Sequence, residues 1–127
     1  PNEWPWGNVW DPEKCNNTID TNPAGGGYER KQTAPVGSYP AGVSPYGCHD
    51  MAGNLFELGR DWMGGSYYKV SPPSDPPGQA SGIYRVMRGG SYSRAGMDGN
   101  LQRCSNRDNL YDPGYVLGRS VGFRLAR

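Results

Sequence analysis

Three short stretches alternate apolar and polar side chains with the period of two that a half-buried strand requires. In "NLFELGRDW", Phe56 and Leu58 interleave with Glu57 and Gly59, and Trp62 caps the apolar end. In "IYRVMRGGSY", Tyr84 and Val86 face one way and Arg85 the other, and in "GFRLAR" Phe123 and Leu125 repeat the pattern. The alternation predicts three short strands, with Phe123 and Leu125 as framework. No amphipathic stretch is long enough for a stable helix. Asp11-Pro12 reads as an N-cap followed by proline at the first helical position, so a single short helical turn is expected there.

The segments between the strands are punctuated chain. "NPAGGGYERKQ" is a loop by its glycines, "APVGSYPAGVSPYG" is extended and broken by Pro and Gly, and the prolines of "VSPPSDPPGQASG" cannot donate in a ladder. With 20 Gly and 12 Pro in 127 residues, the chain spends much of its length in turns. That length fits one domain, residues 1–127, and four Trp, nine Tyr and two Phe supply rigid apolar bodies for its core.

Charge narrows the partners. Net charge is +1, with 13 basic and 12 acidic residues interspersed, so there is no basic stripe to drive nucleic-acid binding. No apolar run approaches the ~20 residues of a bilayer span, so membrane insertion is not expected and the chain reads as soluble. Cys15, Cys48 and Cys104 are too far apart for a CxxC knuckle or redox pair. One disulfide among them is possible, and small buried thiols are the expected role of all three.

Four segments in series, "WPWGNVWDPEKCN", "TAPVGSYPAGVSPYGCHDMAGNLFEL", "GIYRVMRGGSY" and "VGFRLAR", resemble the formylglycine-generating enzyme (sulfatase-modifying factor) family in order and spacing. The likeness runs from Trp4 to the C-terminus and starts where typical members are already well advanced, as in a minimal version or a fragment. It implies an α+β, C-type-lectin-like fold of short strands and long ordered loops with little helix. Members of the family include oxidases that convert a sulfatase cysteine to formylglycine, iron enzymes of thiol-histidine synthesis, and non-catalytic variable proteins of diversity-generating retroelements.

The chemistry of the first two groups is missing from the sequence. The oxidases place two cysteines just after the "GGSY"-type segment, where soft thiolates suit copper. Here that place reads "GGSYSRAGMDGNLQ", and Cys104 falls later, between Arg103 and Arg107, which the family uses as structural arginines. The iron enzymes need three histidines, whereas this chain has only His49, read as a loop or packing residue. No catalytic residue and no catalytic cofactor are therefore expected.

The resemblance does imply a structural calcium ion, held by the side chains of Asp50 and Glu57 and the carbonyls of Gly53 and Leu55, an oxygen-rich set of the kind calcium prefers. The competing reading has Asp50 and Glu57 merely capping turns. A second family site near Asn16 and Asn17 lacks its acidic partner in "PAGGGYERK".

The resemblance to the variable proteins directs attention to the region from about 88 to 127. It contains no Lys, Glu or Trp, residues that adenine-directed diversification of Asn codons cannot produce, although Met97 and Gln102 would then be fixed positions. The expected contact face comprises Ser93, Arg94, Asp98, Asn100, Asp108, Asn109, Leu110, Tyr111, Tyr115, Leu117 and Arg119, rich in the residue types of hot spots and paratopes. Its partner would be a protein or other macromolecule, met at a cell or virion surface. An oxidase-like enzyme, or a fragment of one, and calcium-dependent sugar binding are the competing functions.

Overall fold

A computed structural model describes residues 1–17, 32–93, 99–111 and 120–125, with backbone alone for Leu110 and Tyr111. Its centre is a four-stranded mixed sheet in the order β3-β2-β1-β4, where β1 is Phe56–Trp62, β2 Tyr84–Arg88, β3 Asp108–Tyr111 and β4 Val121–Gly122. β1 pairs antiparallel with β2 through Glu57↔Arg88, Leu58↔Met87 and Trp62↔Arg85, with a register shift between Leu58 and Trp62. β3 pairs antiparallel with β2, and β4 lies parallel to β1.

Two strands form where alternation places them. Phe56 is buried and Leu58 half-buried on β1. On β2 the adjacent Val86 and Met87 are both buried, so the sheet is covered on both faces there. Trp62 ends β1 as expected, with the Arg85 guanidinium 3.6 Å above its ring.

The third strand departs from the pattern. β4 is only Val121–Gly122, and the framework roles of Phe123 and Leu125 are corrected: their side chains are 76% and 85% exposed. The physical reason is that pairing with β1 stops at Glu57↔Gly122, leaving nothing among the described residues for the next turns of the pleat to pack against. The chain is instead tied by Arg124, which donates to Glu57 Oε1 and to the His49 carbonyl.

Among the described residues the helical elements are four 3₁₀ turns, Pro12–Lys14, Pro40–Gly42, Tyr67–Lys69 and Asn100–Gln102. The first is capped as its sequence requires, Asp11 accepting from the Glu13 N–H at 3.0 Å. Trp4, Trp6 and Trp10 cluster at ring separations of 5.7 and 5.8 Å. Trp4 donates its indole N–H to the Gly99 carbonyl at 3.0 Å. The Trp10 ring lies so close to Gly99, whose φ is +69°, that a Cβ there would overlap it.

The loops are held by a buried polar turn. Asn54, at φ +62°, uses its side chain to accept from the Ala34 N–H and the Asn16 side chain and to donate to the Ala34 carbonyl. Its backbone N–H donates to the Asn16 carbonyl and its carbonyl accepts from the Tyr92 N–H. One residue thereby joins three separate segments. Asn16 is buried in this network, and the Asn17 side chain donates to the carbonyls of Pro12 and Cys15, so both serve as loop staples. Cys15 is buried, but Cys48 and Cys104 are exposed, which corrects the expectation of three buried thiols; all three are unpaired.

Candidate binding face and cation cleft

The segment from Cys104 to Tyr111 runs as loop and then as strand. The Cys104 N–H donates to the Glu3 carbonyl at 2.8 Å, and Arg88 donates through Nη1 to the carbonyls of Cys104 and Asn106. Arg103 stacks 5.1 Å from the Trp4 ring and pairs with Glu3 at 3.7 Å, which anchors this stretch to the N-terminal aromatics. From there the backbone enters β3 in register Met87↔Asp108, Val86↔Asn109, Arg85↔Leu110 and Tyr84↔Tyr111.

The sequence did not suggest this strand, since Asp-Asn-Leu-Tyr carries little alternation and its place is decided by backbone pairing. Asn109 is exposed, and Asp108 is half-buried with its own carboxylate accepting from the Asn109 N–H. Asn100 is exposed at the start of its 3₁₀ turn, and Ser93 is half-buried with its backbone N–H and hydroxyl close to Ser91 Oγ. β3 thus gathers Asp108, Asn109, Leu110 and Tyr111 on one sheet edge. Arg94, Asp98, Tyr115, Leu117 and Arg119 lie outside the described residues.

Asp50, Leu55 and Glu57 come together in a cleft of about 380 Å³, also lined by Val36, Asn54, Gly122, Phe123 and Arg124. Asp50 Oδ2 accepts from the Gly37 N–H at 2.8 Å. Glu57 Oε1 accepts from Arg124 Nε and Nη2 at 2.8 and 2.6 Å, and that contact raises the Arg124 pKa. Among the described residues Asp50 Oδ1 and Glu57 Oε2 remain without hydrogen bonds, and as hard oxygen donors they match calcium chemistry. Gly53 does not line the cleft. Its φ is +74°, and a Cβ on it would fall 2.3 Å from the Asn16 carbonyl oxygen.

Two of the thiols, Cys15 and Cys104, favour the protonated form. Burial pushes Cys15 up to about 12, and Cys104 is also raised, chiefly by desolvation. Among the described residues no group of three His, Cys, Asp or Glu converges as a metal-binding cluster, and no helix is long and apolar enough to cross a membrane.

A family model for the sulfatase-modifying factor enzyme 1-like domain matches residues 1–127. The chain is 40% identical over 115 residues to the serine/threonine-protein kinase pkn1 of Chlamydia caviae, covering 89% of this chain and 17% of the kinase. It is 49% identical over 95 residues to a formylglycine-generating enzyme of Streptomyces coelicolor, covering 74% of this chain and 29% of that protein. Among solved structures it is similar to Treponema denticola variable protein 1, with a TM-score of 0.67 and 29% identity over 87% of this chain and 34% of that one. The chain therefore spans well under half the length of each. The shared architecture is α+β and C-type-lectin-like, a curled mixed sheet of short strands with little helix.

Proposed function

The chain belongs to the sulfatase-modifying factor enzyme 1-like family, and from that premise we propose that it is a non-catalytic ligand-binding module whose C-terminal surface recognises a protein or other macromolecule. The observation that carries this reading is β3. It is an edge strand of the sheet, it carries Asp108–Tyr111, and it exposes Asn109, so that part of the interval expected to vary is paired into the sheet with at least one side chain facing solvent. Backbone already held in a strand has no ordering of its own left to undergo when a partner binds, which favours recognition.

The family's copper chemistry has little to work with here. No cysteine stands in "GGSYSRAGMDGNLQ", where the oxidases place their pair, and Cys104 falls beyond it as a lone thiol. The likeness to Treponema denticola variable protein 1 supports display as the role, and on this reading residues from about 88 onward would be the diversified region. Calcium at Asp50, Leu55 and Glu57 would be a structural ion in this scheme, bracing the 34–57 loops.

Oxygen uptake with copper and a sulfatase-type cysteine peptide tests the proposal most directly. No turnover is expected; thiol-dependent uptake would replace the binding module with an oxidase. At the level of DNA, the proposal expects a near-copy of the segment encoding residues 88–127, differing chiefly at adenines, beside a reverse transcriptase gene.

A further inference from the structure

The connection from β1 to β2, residues 63–83, is pinned in place yet turns its large side chains outward. The Gly78 N–H donates to the Tyr67 hydroxyl at 3.1 Å, Trp62 bridges Gln79, and Gly82 packs on the Trp62 ring so closely that a Cβ would sit 3.0 Å from Trp62 Cβ. Even so, Tyr68, Val70 and Ile83 are 62%, 79% and 67% exposed. Held chain with exposed apolar side chains is arranged for contact, because its ordering cost is met before a partner arrives.

These side chains bracket β3. Tyr68 lies under the Arg107 guanidinium, 4.2 Å from ring centroid to Cζ, next to Asp108 at the start of the strand. Ile83 precedes Tyr84, whose register partner is Tyr111 at the strand's other end. The charges at the Tyr68 end are basic. Lys69 is exposed beside Tyr68, and among the described residues neither Lys69 nor Arg107 has a carboxylate within ion-pair distance. Arg88, directly across from this end, spends one nitrogen on backbone carbonyls. Asp108 is the one nearby acid on β3, and its Oδ1 already accepts from the Asn109 N–H.

We propose that the 63–83 connection is a second, sequence-fixed wall of the β3 recognition surface, and that the wall receives an acidic protein segment, with Arg107 and Lys69 meeting its carboxylates and Tyr68 and Ile83 its apolar side chains. The inference rests on the display reading above and names the chemistry of the partner. A guanidinium held over an aromatic ring still has N–H groups to offer a carboxylate at the ring's edge.

The test is selection of a phage-displayed random-peptide library against the folded chain. Retained peptides are expected to be enriched in Asp and Glu beside apolar residues, and their synthetic copies to bind more weakly as salt rises. Affinity of those peptides should fall about tenfold on Tyr68→Ala and on Lys69→Glu, both exposed positions that leave the fold intact by circular dichroism, and also on Asn109→Ala. Arg107→Lys, which keeps charge and loses the forked guanidinium, should cost several-fold. Loss on Asn109→Ala without loss on Tyr68→Ala and Lys69→Glu would refute the second wall and leave display standing. Loss on Tyr68→Ala and Lys69→Glu alone would refute recognition by β3. Peptides with no acidic bias, or no retained peptides, would overturn the inference.

Discussion

The turn at Asn54 and the edge at β3 solve opposite problems with similar residues. Each centres on an asparagine followed by leucine, Asn54-Leu55 and Asn109-Leu110, yet at Asn54 every polar group described is engaged, three segments converge, and a neighbouring glycine has no room for a methyl group. At β3, Asn109 pairs its backbone with Val86 and projects an exposed side chain. Asparagine is therefore framework in one place and surface in the other, and the difference lies in how much backbone surrounds it.

The sharpest way to break this contrast is Gly53→Ala. It forces a Cβ onto the Asn16 carbonyl at φ +74° and is expected to cost about 3 kcal/mol or more, read as a lower midpoint in urea. Asn54→Ala should cost about 2 kcal/mol, because it leaves the Ala34 N–H and carbonyl and the Asn16 amide without their partner.

Alkaline pH probes the same region. The buried Cys15 keeps its proton up to about 12, whereas an unfolded thiol loses it near 9, so this group lowers stability as pH rises between those values. Cys15→Ala should flatten that part of the profile, and iodoacetamide should label Cys48 and Cys104 in the folded protein but Cys15 only in denaturant, as mass spectrometry would show. Smaller still is Glu57→Gln. It weakens a partly exposed ion pair worth under about 1 kcal/mol, and it should abolish any rise in thermal midpoint that calcium produces in the parent chain. At the low end, Asn109→Ala should change stability by less than about 0.5 kcal/mol. A cost there comparable to that of Asn54→Ala would erase the distinction between the two regions.

Much of the centre of the fold was legible. Strands β1 and β2 follow from alternation, and the Asp11-Pro12 turn follows from capping chemistry. β3 was not, because four mixed residues at a sheet edge owe their conformation to a partner strand distant in sequence. Phe123 and Leu125 misled for the complementary reason: alternation says which side chains share a face, but not whether anything lies against that face.

The cleft draws Asp50, Leu55 and Glu57 from one short stretch of sequence, while the guanidinium of Arg124 that enters it comes from a distant part of the chain. The Asn54 hub left one usable trace, an Asn after Gly in "AGNL", the kind of residue that tolerates the left-handed region. The Tyr68–Arg107 stack left none, since nothing local links a loop tyrosine to an arginine so far along the chain.

The strand order carries a last consequence. β3 and β4 occupy opposite rims with β2 and β1 between them, and Tyr111 lies level with Tyr84 at one end of β2 while Ser120 bonds Phe56 at the far end of β1, so the two are fastened about three strand spacings apart across the sheet and about six residues apart along it, roughly 24 Å in all. The residues joining them work like the deck of a bridge between fixed piers: removing more than about two would leave too little chain, at ~3.5 Å per residue, to reach across. Shortening this stretch should therefore be expensive, a constraint that bears on its length and not on its letters.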